Sequence, residues 1–483
     1  MQNGSFLLFF SQLSSSPTLF PQPSLTSLHT FLHSSMTNAV SSRDPKIAND
    51  VKQAIDSETA SLREVSLQIH SNPELGYEEV FAHKILTDYI EERGFTVTRH
   101  AYDLKTAFVA EYVSPAAKAL IADGLGDKVR TVGFISEMDA LPFGDAKGHA
   151  CGHNLIAIVG LASALGTKVA LEKNNLVGRI KLFGTPAEET TGGKIDMINK
   201  GAFEGLDACM MSHPAPADVV YCTILSVGGM TVEYFGKASH ASASPWEGVN
   251  ALDAMVHAYN GLALVRQQTA PTSRIHCVIT NGGAAANIIP DYASGKIMYR
   301  ATSADDHTKV YDAVMKVVNA AAEATGCTVK ITKEMEYQPV PINEHLASRY
   351  ASYTADLGVK YLPRAVQESL PSGSTDMGNV AHVVPGIHPV FNIVGLNGEI
   401  DRSVSNHSFG FVAQAKTEVA HEASLRSAKG LALTGLDVLI EEGFAAAIKD
   451  SFEKQIPKGG SGLSSLEQKL KAMAGIGAGC GCH

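Results

Sequence analysis

The chain has 483 residues, with 39 Lys and Arg against 49 Asp and Glu and a formal net charge of −10. Hydrophobic residues make up 45% and charged residues 18%, which excludes wholesale disorder and leaves room for about two to four domains. The acidic balance argues against nucleic-acid and anionic-membrane partners, and seven widely spaced Cys in so long a chain are no framework for a small secreted disulfide protein; a reducing, cytoplasmic compartment is expected.

Residues 1–42 contain no Asp, Glu, Lys or Arg and are rich in Ser, Thr, Leu, Phe and Pro. They are expected to form a disordered, dispensable leader. The apolar run at Phe6 is too short for a signal-peptide core, no positive charge precedes it, and Met36 is an alternative start. Helical periodicity covers 45–70, through Ile47, Val51, Ile55, Leu62, Val65 and Ile69. A turn at Asn72-Pro73-Glu74-Leu75-Gly76 follows, then a second helix over 78–93. Strands are predicted at 96–99, 107–112 and 131–136. A helix at 155–172, a strand at 179–183, a helix at 193–200 and a strand at 208–212 follow. This alternation predicts a mostly parallel sheet with helices on both faces. From 228 the order becomes βαββαβ, the ferredoxin-like split motif, with strands at 230–236, 274–280, 292–301 and 328–334 and helices at 248–268 and 304–325.

The predicted organisation is an α/β catalytic domain in two segments, 43–227 and 341–453. An α+β lid or dimerisation domain is inserted at 228–340, and a flexible tail fills 454–483. That tail ends in Cys480-Gly481-Cys482-His483, read as frayed rather than metal-binding. No transmembrane helix is expected.

Three predicted strands run into residues that bind metals. The first leads to Glu137-Met138-Asp139, with His149-Ala150-Cys151-Gly152-His153-Asn154 close behind. The next two lead to Thr185-Pro186-Ala187-Glu188-Glu189 and to His213. Ligands of open α/β sheets bind beyond the carboxyl ends of the strands, so Cys151, His153, the Glu pair and His213 can converge. Imidazole, thiolate and carboxylate are ligands of Zn²⁺ and related cations. The Glu pair allows one carboxylate to hold metal while the other accepts a proton from activated water. His407 offers a distant imidazole to close the site. Cys209, Cys222, Cys277 and Cys327 are read as small buried apolar residues.

The ordered segments His70-Ser71-Asn72-Pro73-Glu74-Leu75-Gly76, Met138-Asp139-Ala140-Leu141-Pro142, His149 to Asn154, Thr185 to Glu189, Ser239-His240-Ala241-Ser242 and Ala286-Asn287-Ile288-Ile289-Pro290 resemble the metal-dependent amidohydrolases. That family includes aminoacylase, glutamate carboxypeptidase G, hippurate hydrolase and the plant indole-acetyl-amino-acid hydrolases. Gly148 to Asn154 and Ser374 to Val380 most resemble its Xaa-Arg dipeptidase branch, also known for β-alanyl-lysine dipeptidase activity.

The resemblance implies metal ligands at Cys151, His153, Glu189, His213 and His407. It implies a general base at Glu188 and a ligand-orienting acid at Asp139. His240 and Asn287, in the inserted domain, match residues that reach substrate; in family dimers the His often serves the neighbouring subunit as an oxyanion donor. Arg300 is a candidate for a substrate carboxylate, with a surface strand Arg as the alternative. Gly373, Ser374 and Thr375 match a loop lining the substrate site, and Asp376 either belongs to it or caps the next segment. Where relatives of this branch commonly carry a small residue and Tyr, this chain has Ala381-His382, near the expected pocket. The implied activity is hydrolysis of a C–N amide bond in a dipeptide or N-acyl amino acid, by a homodimer holding one or two divalent ions per subunit. Zn²⁺ is favoured, with Mn²⁺ as the alternative. An amide-forming or acyl-transfer enzyme on the same site, and a non-catalytic scaffold, are the competing readings.

Overall fold

A computed structural model describes residues 44–143, 146–370, 372–394 and 404–456. The 1–42 leader and the Cys/His-rich end of the chain lie outside the described residues. The main sheet contains β1 (Thr96–Arg99), β2 (Phe108–Val113), β3 (Thr131–Glu137), β4 (Arg179–Thr185) and β5 (Ala208–Met210). A second sheet takes β6 (Ser226–Phe235), β7 (Arg274–Asn281), β8 (Tyr292–Ala301) and β9 (Thr328–Tyr337), and β10 (Gly386–Ile387) returns to the first.

The main sheet has the order β1-β2-β4-β3-β5-β10. β3, β4, β5 and β10 are parallel, while β1 and β2 run antiparallel at one edge. It is therefore the mixed, mostly parallel α/β sheet expected. Every residue of β3 is buried, the mark of a central strand covered on both faces. Alternation along the strands divides two cores: Phe134, Leu182 and Met210 face one layer, and Ile135, Phe183 and Cys209 face the other. The helix His153–Lys173 fills the first layer. By length and composition it could cross a membrane, yet 89% of its apolar window is buried inside the protein, so it is a core helix.

The second sheet, ordered β7-β8-β6-β9 and wholly antiparallel, is the ferredoxin-like arrangement. Helices Ala251–Val265 and Ala304–Thr325 pack on it around a separate core that includes Met255, Tyr234, Ile297 and Val314. Asn250 and Ser303 cap these helices by accepting from backbone N–H groups.

Four differences from the sequence reading stand out. The helix expected over 45–70 is two helices, Pro45–Ser57 and Thr59–Ser71. They part at Glu58, whose carboxylate accepts from Tyr89 at 2.9 Å and Arg93 at 2.8 Å; a tertiary contact overrides the periodicity. The helix Pro115–Ala122 was not predicted, although Ser114 accepts from Ala117 N and Pro115 opens the first turn. The strand expected over 208–212 stops at Met210, and His213–Ala215 pairs instead with Val390–Asn392. The last helix, Glu442–Gln455, also enters the stretch expected to be flexible tail.

Candidate metal centre

The site forms where β3, β4 and β5 end. Gly152, at φ +79°, turns the chain into the His153–Lys173 helix, and a side chain there would fall 2.6 Å from the Pro214 ring. That turn places Cys151 and His153 together. After β4, Ala187 adopts a left-handed φ of +58°, and its N–H donates to the buried Glu79 carboxylate at 2.8 Å. This holds the strained residue that aims Glu188 and Glu189. His407, at φ +63°, is fixed by its N–H to Ala150 O at 2.8 Å.

Thiol, imidazole and carboxylate groups meet here. Cys151 Sγ lies 3.3 Å from both His213 Nε2 and His407 Nε2. Glu189 Oε1 is 3.3 Å from His407 Nε2 and 3.8 Å from His153 Nε2. Cys151, His153 and His213 form one group whose ligand atoms lie within 4.8 Å of one another; Cys151, Glu189 and His407 form another. Cys151 belongs to both groups, so the two together could hold divalent metal.

The donor set fits a divalent metal. His153 Nε2 and Glu189 Oε1 are buried with no hydrogen-bond partner among the described residues, a cost that a cation removes. The far nitrogens are occupied: His153 Nδ1 meets Asp139 Oδ1 at 2.9 Å and His213 Nδ1 meets Pro214 O at 2.7 Å. Both rings thus present Nε2 inward. Burial, with His388 and His153 nearby, pushes His213 down to about 3, keeping it the neutral imidazole that metals require. Burial, then the Glu137 and Glu189 charges, raises the Glu188 carboxyl well above the usual carboxylate range. Such crowding marks a centre short of positive charge.

Asp139 spends both oxygens on orientation, one on His153 and one on the Glu189 N–H at 2.9 Å. Glu188 is buried, joins His153 and Glu189 in a third group, and accepts at its backbone carbonyl from Tyr337 at 2.7 Å. The centre opens into a cavity of about 680 Å³ lined also by Arg300, Gly373, Ser374 and Thr375. Arg300, carried on β8, donates to Ser374 Oγ at 2.7 Å.

His240 and Asn287, matched by the resemblance to residues that reach substrate, stand apart from the metal-binding cluster. Both are exposed and neither lines the cavity. His240 pairs with Ile288 in a small two-stranded ladder, and Asn287 beside it accepts from the Ala241 N–H at 3.1 Å. His382 also lies off the lining, just after the helix Met377–Ala381. Cys222 lines the cavity and, like Cys277, is only partly buried. The sequence reading missed Lys194, which is fully buried between Glu137 and Asp376. The preceding Gly192-Gly193, a sign of close backbone packing, was the available signal. Asp376 makes no side-chain cap, which removes the capping alternative.

Comparison with known proteins places these features. Residues 226–326 match the peptidase dimerisation domain. The chain is 42% identical over 408 residues to the Xaa-Arg dipeptidase of Mus musculus, covering 83% of this chain and 91% of that one. It is 41% identical over 412 residues to the Xaa-Arg dipeptidase of Homo sapiens, covering 84% and 91%. A solved dinuclear metal-binding peptidase of the M20 family from Bacillus subtilis shares the fold, with a TM-score of 0.57 at 19% identity over 80% of this chain and 99% of that one.

Proposed function

The chain belongs to the M20 metallopeptidase family, on the branch of the Xaa-Arg dipeptidases, and we propose that its own side chains divide the work of metal-dependent amide hydrolysis as follows. Cys151, His153, Glu189, His213 and His407 hold two divalent ions, Zn²⁺ by preference because the donors mix sulfur, nitrogen and oxygen, with Mn²⁺ as the alternative. When bound, such ions polarise a carbonyl and lower the pKa of water. Glu188 takes a proton from water on its carboxylate and passes it to the leaving amine. Asp139 fixes the His153 tautomer and the backbone of Glu189. The substrate is a dipeptide or N-acyl amino acid whose free carboxylate meets Arg300 and Ser374. A reducing compartment such as the cytoplasm suits the Cys151 thiolate. The observation that carries this reading is the convergence of Cys151, His153, Glu189, His213 and His407 beside a buried Glu188.

Arg300 provides a test of substrate orientation. Arg300→Ala is expected to raise KM for carboxylate-bearing substrates about 10- to 100-fold, the worth of a charged hydrogen bond, with a smaller change in kcat. Steady-state kinetics decide it; an unchanged KM makes Arg300 a structural strand residue.

We further infer a homodimer through the inserted domain. Its surface exposes Trp246 at 76%, Leu264 at 75% and Val278 at 56%, apolar area suited to a partner. The exposed His240 would then serve the other subunit. His240→Ala and Glu188→Gln, each nearly inactive alone, are expected to regain activity when mixed and reassembled, because one site of each mixed dimer is intact. Light scattering gives the mass. A monomer, or mixtures that stay inactive, contradicts this assembly.

A further inference from the structure

Lys194 lies under the metal centre with no exposed surface. Its ammonium donates to Glu137 Oε1 at 2.6 Å and to Asp376 Oδ1 at 2.7 Å, and its backbone N–H donates to Asp376 Oδ2 at 3.0 Å. Glu137 and Asp376 are equally buried. An ion triad of this kind is a poor source of stability, since apolar residues of similar volume often do as well or better. What it supplies is a fixed relation between the elements it joins.

Those elements are the two halves of the site. Glu137 ends β3, and its Oε2 is 3.5 Å from His153 Nε2. Asp376 ends the 373–375 loop that lines the cavity, and Ser374 in that loop accepts from Arg300. Lys194 is therefore the link between the metal-binding side and the carboxylate-binding side. The backbone packs closely on both sides of it. A side chain on Gly193 would fall 2.1 Å from the Pro186 carbonyl oxygen, in the turn that carries Glu188 and Glu189. One on Gly378, just after Asp376, would fall 1.8 Å from the Gln338 carbonyl oxygen.

We propose that Lys194 is a positioning residue for substrate: through Asp376 it sets the 373–375 loop, and with it the Arg300–Ser374 pair, at a fixed distance from the metal centre. The proposal rests on the reading of Arg300 and Ser374 as the carboxylate subsite. It accounts for a charged triad kept in a dry interior where an apolar contact would suffice for folding.

The test compares an N-acyl amino acid with its C-terminal amide, using full-length, zinc-loaded protein. In Lys194→Met the ratio of kcat/KM for acid over amide is expected to fall about tenfold or more, the loss of a charge-assisted contact, while bound zinc per chain stays at the wild-type level. Asp376→Asn cuts the same link from the loop side with no change of shape, and the same selective fall is expected. It decides the matter if Lys194→Met does not fold. Equal losses on acid and amide in the folded variants mean a general structural role and overturn the proposal. A wild-type enzyme that does not distinguish acid from amide overturns the carboxylate reading itself, and this proposal with it.

Discussion

Glu188→Gln is expected to lower kcat by roughly 10²–10⁴-fold, the range set by general-base catalysis, while metal content per chain stays at the wild-type value. The side chain is buried among Glu137, Glu189 and Asp376, and burial is the first reason its carboxyl favours the proton. As a carboxylate beside the metal ligands, it is placed to take a proton from water and return it to an amine. Glutamine keeps the size and removes the basic oxygen. The Tyr337 bond to the Glu188 carbonyl is a backbone contact and survives the change, so the turn keeps its shape. Metal analysis after gel filtration, with kinetics on the same sample, separates the two effects. Loss of metal in step with activity would make Glu188 a ligand rather than a base.

Glu189→Ala is expected to lose both. Its Oε1 faces His407 and His153. Burial alone would raise its carboxyl, yet the neighbouring imidazoles of His407 and His153 hold it below the usual range, so it is suited to ligate a cation. Removing a ligand should weaken metal binding by more than the 10- to 100-fold typical of changing an outer-shell partner, and turnover should fall at least as far as in Glu188→Gln. Added Zn²⁺ should restore neither fully. Equal metal retention in the two variants would erase the division of roles between adjacent glutamates.

The sequence made much of this centre legible because the chemistry is local. Cys-x-His before a buried helix and a Glu pair after a strand are short-range patterns, and the end-of-strand rule brings them together without knowledge of the turns. His407 is different. It lies more than 250 residues from Cys151 in the chain, so the sequence offered it only as a distant imidazole until the family resemblance matched it to a ligand. The inserted domain was legible from its βαββαβ order, since a helix period and a strand period alternate cleanly there.

What stayed hidden depends on contacts between distant segments. At the Glu58 break between two helices, Tyr89 and Arg93 reach its carboxylate from beyond the following helix, and no periodicity records that. Lys194 reads as an ordinary helix lysine until the fold brings Glu137 and Asp376 to it from 57 and 182 positions away. Asp376, just before a helix, looked like a cap, and a cap and an ion-pair partner are indistinguishable in sequence. His240 and Asn287 were matched to substrate-reaching residues by the family resemblance alone, and within one chain they stand exposed and off the cavity lining.

The most direct test of the central claim is hydrolysis itself. Full-length protein loaded with Zn²⁺ is assayed against dipeptides and N-acyl amino acids by release of the free amine, with bound metal measured in the same preparation. The expected result is cleavage that disappears on chelation and returns with Zn²⁺ or Mn²⁺. Stoichiometric metal in a folded protein that cleaves no member of either substrate class would contradict the account.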